Sequence, residues 1–305
     1  FPTGGGKTEA YLGLSAFTIL FERIKGEENP GSTVLMRYTL RLLTAQQFQR
    51  AATLICALES MRARNPRLLG VKRITIGLWV GESNSPNTWS EAVKMLNSLS
   101  SSGVNRFPVT RCPWCGAEMG KVGSKTVGYK KYRPRGSRTD EIRFVCPDDS
   151  CEFGSSGDCL PLKVVDEDIY SEPPTLLVGT VDKFAMIPYR PESYSIFGLD
   201  GRGRRVSAPK LVIQDELHLI SGPLGSMVAL YEVLIGTLCK RIKEGRELGP
   251  KIIASTATIS HAKEQCNEIF ACGKDRVVQF PPSGTEYNDS FFATMDRAGS
   301  GRRYV

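Results

Sequence analysis

The chain has 305 residues, 41% of them hydrophobic and 24% charged, with a formal net charge of +8. That length allows one large domain or two small ones, and the composition excludes a mostly disordered chain. The longest near-continuous apolar run, Ala10 to Phe21, is too short for a bilayer span and is broken by Gly13, Ser15 and Thr18. With no signal peptide in view, a cytoplasmic location with no membrane partner is expected.

The chain opens on Phe1-Pro2 rather than Met and is read as a fragment of a longer protein. Phe1-Pro2-Thr3-Gly4-Gly5-Gly6-Lys7-Thr8 precedes a helix-forming segment. Backbone N–H groups in a glycine-rich turn converge on phosphate oxygens where no side chain blocks them. The helix that follows points its positive end at the same anion. Lys7 would reach the outer phosphates and the Thr8 hydroxyl would bind magnesium, with Thr3, Gly4, Gly5 and Gly6 around the phosphates. Phe1 stands where the usual pattern has Gly or Ala.

Residues 32–37 read as a strand, 44–64 as a helix with Phe48, Ala51, Ala52, Ile55 and Leu58 on one face, and 73–80 as the next strand. From Asn105 to Pro161 the helical period stops, and Gly, Pro, Lys and Arg dominate. A stretch of that length without long elements is better read as an inserted module than as a loop. The runs 175–179, 210–214 and 251–255 are apolar with little alternation, and each precedes a helical pattern. Such strands are buried on both faces, as in a mostly parallel α/β sheet under helices. Pro281-Pro282-Ser283-Gly284 marks a linker. The expected divisions are 1–104 and 166–280 for the two parts of the α/β domain, 105–165 for the insert and 281–305 for a linker.

Nine cysteines, an odd number, with Cys112 and Cys115 tightly paired, argue against a secreted disulfide framework. Cys56, Cys239 and Cys266 lie in apolar-periodic sequence and read as small buried hydrophobes. Cys112-Pro113-Trp114-Cys115-Gly116 is a thiolate knuckle, and Cys146 and Cys151 form a second pair. Two close pairs fit a tetrahedral structural zinc ion in a zinc-ribbon-like module, with Cys159 an alternative to Cys151 and an iron–sulfur cluster the competing occupant. Between the pairs lie Lys121, Lys125, Lys130, Lys131, Arg133, Arg135, Arg138 and Arg143, interleaved with Tyr129 and Tyr132. This run suits a phosphate backbone with a Tyr stacked on a base, or a solvated hairpin tip.

Leu211-Val212-Ile213-Gln214-Asp215-Glu216-Leu217-His218 places two carboxylates at the end of an apolar strand. That end of a parallel sheet faces the ligand crevice. Asp215 is positioned to hold magnesium and Glu216 to polarise the attacking water.

Pro-Thr-Gly-Gly-Gly-Lys-Thr at 2–8, Asp-Glu-Leu-His at 215–218 and Ser-Thr-Ala-Thr-Ile at 255–259 resemble motifs I, II and III of superfamily 2 helicases of the Asp-Glu-x-His type. The resemblance implies the first of two RecA-like P-loop NTPase domains, using ATP and Mg2+. It implies that His218 links the ATP site to motif III and that Thr256 and Thr258 are the coupling hydroxyls. It also implies that Arg37, Thr39 and Arg41, in the place of motif Ia, and Thr180 and Lys183, in the place of motif Ib, contact nucleic acid. Motif Ia departs from the usual form, since Arg37-Tyr38 precedes Thr39-Leu40. More narrowly, the strings at 1–11 and 37–51, together with the cysteine insert, are similar to the helicase-like component of the DISARM anti-phage system.

The expected function is ATP binding and hydrolysis in a helicase or translocase that acts on DNA rather than RNA in anti-phage defence, with other defence proteins as partners. A second RecA-like domain of the same chain would complete the site. A scaffold module without turnover and a P-loop ATPase acting on protein are the alternatives.

Overall fold

The computed structural model describes residues 6–26, 31–39, 41–81, 85–136, 138–154, 158–200, 202–204, 206–256, 261–280, 289–290 and 293–294. The first helix, α1 (Lys7–Ile24), starts from Gly6 at φ 82, a left-handed conformation that glycine adopts without strain. It buries Tyr11, Ser15, Ile19 and Arg23, a face repeating every four residues. Strand β1 (Val34–Tyr38) is buried along its whole length. Helix α2 (Arg41–Arg64) begins three residues earlier than its apolar period suggests. A single turn, α3 (Pro66–Leu69), leads to β2 (Ile76–Trp79). Helix α4 (Trp89–Ser102) opens with a capping box between Thr88 and Glu91 and stops at Gly103.

The middle of the chain forms two antiparallel hairpins, β3 (Gly120–Val122) with β4 (Lys125–Val127), and β5 (Tyr129–Tyr132) with β6 (Glu141–Phe144). Regular α/β alternation returns with β7 (Leu162–Lys163), α5 (Asp166–Ser171), β8 (Leu176–Thr180), α6 (Val181–Phe184) and β9 (Leu211–Gln214). Helix α7 (Gly222–Cys239), the hairpin β10 (Arg241–Lys243) and β11 (Arg246–Leu248), β12 (Lys251–Ala254) and α8 (Ala262–Phe270) follow, with a small hairpin of β13 (Asp289–Ser290) and β14 (Ala293–Thr294) last.

Six strands form one parallel sheet in the order β12-β9-β1-β8-β2-β7. Alternate residues feed two cores. Val34, Met36, Leu78, Val178 and Ile213 face α1, α2 and α4. Leu35, Trp79, Leu177 and Val212 face α5, α6 and α7. Covering both faces is what the unalternating apolar runs require. The order reverses around β1, and helix α1 precedes it, so the fold is α/β and RecA-like. Edge strand β7 lies inside the range 105–165 and pairs with β2 in the main sheet.

The cysteine module is not appended through loops alone. Phe107, Val109, Met119, Tyr129, Ile142, Phe144, Phe153 and Leu160 share one core with α2 and α4. Thr53 donates to the Pro113 carbonyl at 2.9 Å, Ser60 to Glu152 at 2.6 Å and Arg73 to the Cys159 carbonyl at 2.7 Å. Cys56 and Cys239 are buried and Cys266 half-buried, as their apolar surroundings predict. Among the described residues only α7 is long and apolar enough to cross a membrane, and its inner face packs on the sheet.

Candidate nucleotide and metal sites

The parallel register brings the carboxyl ends of β9 and β12 together, with Gln214 beside Ala254. Asp215 and Ser255 are the next residues, so they emerge as neighbours. The Ser255 hydroxyl donates to Asp215 Oδ1 at 2.9 Å, and the Glu216 N–H donates to the same oxygen at 3.0 Å. The Asp215 N–H is held by the Arg37 carbonyl at 3.0 Å, and the Leu217 N–H by the Ser255 carbonyl at 2.8 Å. Glu216 sits at φ 51, a left-handed conformation unfavourable for a residue with a Cβ. These bonds hold that strained turn in place. His218 Nδ1 lies 3.4 Å from Glu216 Oε2.

The helix from the phosphate loop reaches this corner. Lys7 and Thr8, both half-buried, open α1, and Tyr11 follows one turn later. The Tyr11 phenol lies near Ser255 and the Asp215 and Glu216 carboxylates. Burial pushes its pKa up to about 12, and the Asp215 and Glu216 carboxylates add to the rise. Burial also drives Tyr38 upward, with Asp215 the next contributor. Thr3, Gly4, Gly5 and Thr258 lie outside the described residues, while Gly6 caps the helix. The Thr256 hydroxyl is buried without a hydrogen-bond partner among the described residues. Thus the hydroxyl that meets Asp215 comes from Ser255, a residue the motif comparison passes over. Tyr11 is likewise missed by the sequence reading, although its spacing four residues after Lys7 puts it on the same helical face.

The residues expected to grip nucleic acid are less accessible than their strand-end positions suggest. Arg37 is 2% exposed and forms an ion pair with Glu232 of α7. Its guanidinium stands 5.6 Å from the Phe184 ring centroid and 5.8 Å from that of Phe270. A buried, paired Arg37 does not present its charge to a phosphate. Lys183 is also buried, at 2.7 Å from Asp166 and 3.3 Å from Asn87. Thr180 is fully buried, and Thr39 is half-buried. Arg41 opens α2, but its side chain is outside the described set.

The basic hairpin is open to solvent. Lys130 is exposed, Lys131 reaches Asn97 at 2.7 Å and Arg133 pairs with Asp140 at 2.6 Å. Arg143 stacks over Tyr132 at 3.3 Å from the ring centroid. Tyr129 is buried against Phe107 and Phe144, which removes it as a stacking platform for a base.

Cys112, Cys115, Cys146 and Cys151 bring four sulfurs within 4.8 Å of one another. Tetrahedral thiolates around zinc, at about 2.3 Å from the ion, stand roughly 3.8 Å apart. Cys159 is not in the group, so Cys151 is the fourth ligand candidate. Gly116 N–H donates to the Cys112 carbonyl at 2.9 Å across the first pair, and just past the second pair Gly154 N–H donates to the Cys151 carbonyl at 2.9 Å. Backbone N–H groups of Ala117 and Asp148 face the sulfurs of Cys115 and Cys146. Burial pushes the Cys146 thiol up strongly, and Cys151 up to about 11. Cys115 is lowered, because the Ala117 N–H and neighbouring thiols outweigh its slight burial. The donor set fits one tetrahedral ion.

No family model matches the chain. It is similar to the DISARM protein DrmA of Bacillus paralicheniformis, at 35% identity over 334 residues and 96% of this chain. This similarity bears out the narrower resemblance carried by the strings at 1–11 and 37–51 and the cysteine insert. It spans 29% of the length of that relative. Two crystal structures of the DUF1998 helicase MrfA, one of them bound to DNA, align with 84% and 87% of this chain and 26% and 31% of theirs. Their identities are 12% and 10%, each with a TM-score of 0.29.

Proposed function

We propose that this chain is the ATP-binding domain of a DNA helicase or translocase that serves anti-phage defence. The observation that carries the reading is the convergence of α1, β9 and β12 on one crevice. Tyr11 of the helix that follows the loop is buried on the inner face of α1, and Ser255 donates to Asp215 at 2.9 Å. In this reading the loop from Thr3 to Gly6 cradles the phosphates on the open N-terminus of α1. Lys7 neutralises the outer phosphates, and Thr8 and Asp215 hold Mg2+. Magnesium, when bound, supplies charge neutralisation for phosphoryl transfer. Glu216, in the strained turn that follows β9, orients the attacking water. His218 is Glu216's neighbour and relays its state toward Ser255, Thr256 and Thr258.

The similarity to DrmA supports a helicase-like role in defence, and the open basic hairpin supports a nucleic-acid partner. Arg37, Thr180 and Lys183 are buried, so in this reading that partner is not gripped by their side chains directly. Zinc on the four cysteines is structural in this reading, since no fourth position is left open for a substrate. A second RecA-like domain of the full-length chain and other defence proteins complete the partners, and the setting is cytoplasmic.

The test is ATP turnover by the full-length protein with and without DNA or RNA. Wild type should hydrolyse ATP, and DNA should stimulate it more than RNA. Lys7→Ala should abolish turnover with loss of nucleotide binding, whereas Glu216→Gln should abolish turnover and still bind ATP. Wild-type rates in both variants would remove the nucleotide-site reading.

A further inference from the structure

The segment that carries Glu216 and His218 is short and strained. Leu217–Leu219 make one tight 3-10 turn directly after Glu216 at φ 51. Such a backbone persists only where its surroundings hold it. On one side it is fastened to the end of β12, where the Leu217 N–H meets the Ser255 carbonyl at 2.8 Å. On the other side stands Gln265 of α8. Its Nε2 donates to the Leu217 carbonyl at 3.1 Å and to the Ile220 carbonyl at 2.9 Å. Both partners are acceptors, so the amide must present its nitrogen to them. One side chain thus spans the two carbonyls that bracket His218 and Leu219. Its own backbone is set by the first turn of α8, where the Gln265 N–H donates to the His261 carbonyl at 3.0 Å. Packing does not replace these bonds, because a cavity of about 980 Å3, lined by His218, Ser221, His261 and Gln265 among others, opens between α7 and α8.

We propose that Gln265 is a positioning residue, which holds the Glu216–His218 turn from α8 and so fixes where the Glu216 carboxylate meets the attacking water. The proposal rests on the nucleotide reading above and adds to it a tie from α8, the helix that follows Ser255 and Thr256, to the residues that act on water. It gives Gln265 no contact with phosphate or magnesium. Nucleotide affinity is therefore independent of its amide. The rate of the chemical step is not, since a reacting group displaced by about 1 Å can cost roughly 100-fold.

The experiment uses the full-length protein with DNA. It measures kcat for ATP and, separately, affinity for a fluorescent, non-hydrolysable ATP analogue. Gln265→Met keeps the length of the side chain and removes both N–H donors. It should lower kcat about tenfold or more and leave analogue affinity unchanged. Gln265→Glu turns a carboxylate toward the two carbonyl oxygens and should lose at least as much. Gln265→Lys, which restores N–H donors, should turn over faster than either. A wild-type kcat in Gln265→Met overturns the proposal, as does a Gln265→Lys variant no faster than Gln265→Met. Equal loss of kcat and of analogue affinity also overturns it, because that is the mark of a general packing defect. Should Gln265→Met fail to fold, the comparison of Gln265→Glu with Gln265→Lys decides in the same way. If wild type itself neither binds the analogue nor hydrolyses ATP, the nucleotide reading fails and the proposal with it, an outcome visible before any variant is made.

Discussion

Neutralising Glu232 tests whether Arg37 belongs to the core or to a binding surface. Arg37 is 2% exposed, and Glu232 is its carboxylate partner across 195 residues of sequence. Two of the guanidinium nitrogens, Nε and Nη2, have no hydrogen-bond partner among the described residues. Glu232→Gln would therefore leave a buried cation facing only a neutral amide and the rings of Phe184 and Phe270. Breaking one side of a buried pair costs about 3–5 kcal/mol. The two rings, near the outer limit of a cation–π contact, recover at most about 1 kcal/mol. A net loss of about 3 kcal/mol corresponds to a fall of roughly 6–12 °C in the melting temperature of a domain this large. The double variant Arg37→Met with Glu232→Leu removes both charges and should recover most of that loss. Thermal unfolding of the full-length protein and of the variants, alongside DNA binding, measures both effects. A loss under 1 kcal/mol in Glu232→Gln, or abolished DNA binding by Arg37→Met at unchanged melting temperature, would refute the core assignment and return Arg37 to the binding surface.

Three more outcomes are expected. Purified protein should carry about one zinc per chain, and stripping it should unfold the insert and expose the packed faces of α2 and α4, read by hydrogen exchange, since structural zinc is worth about 10–16 kcal/mol in isolated modules; iron with labile sulfide, or no metal in anaerobic preparations, would contradict the single-ion site. Changing Lys130, Lys131, Arg133 and Arg135 together to Ser should weaken DNA binding and reduce the log–log salt slope by about 0.7–0.9 per lost phosphate contact, with zinc content and basal ATPase unchanged; an unaltered slope would make the hairpin only a solvated tip. Glu59 is pushed up by burial but lowered on balance by Arg62, the Ile74 N–H and Arg73, so its folded pKa lies below the unfolded value. The stability it contributes is present above about pH 4.3 and is lost as pH falls through the folded pKa, and the acid limb of a urea-unfolding series should flatten in Glu59→Gln.

Much of the architecture follows from local pattern. Apolar runs such as Leu176-Leu177-Val178 and Leu211-Val212-Ile213 need cover on both faces, which only a parallel sheet between helices provides. Gly6 before Lys7 makes a helix start that leaves its N–H groups open, and the Asp-Glu pair after an apolar strand lands at the crevice end. The close spacing of Cys112 with Cys115 and of Cys146 with Cys151 likewise makes one ion site readable without a structure, because each pair turns on itself. What those patterns do not contain is the identity of a partner hundreds of residues away. Arg37, Thr180 and Lys183 sit at strand ends, where sequence predicts access, yet helix α7 and Asp166 of α5 close over two of them. The choice of Ser255 over Thr256 depends on the β9–β12 register, in which a shift of one residue turns a side chain to the opposite face. Tyr11 reads as one more apolar position of a helix until α1 is laid against the sheet. Spacing along the chain determines what a residue can do locally, whereas burial and pairing are properties of the packed whole, and there they decide which charges remain available.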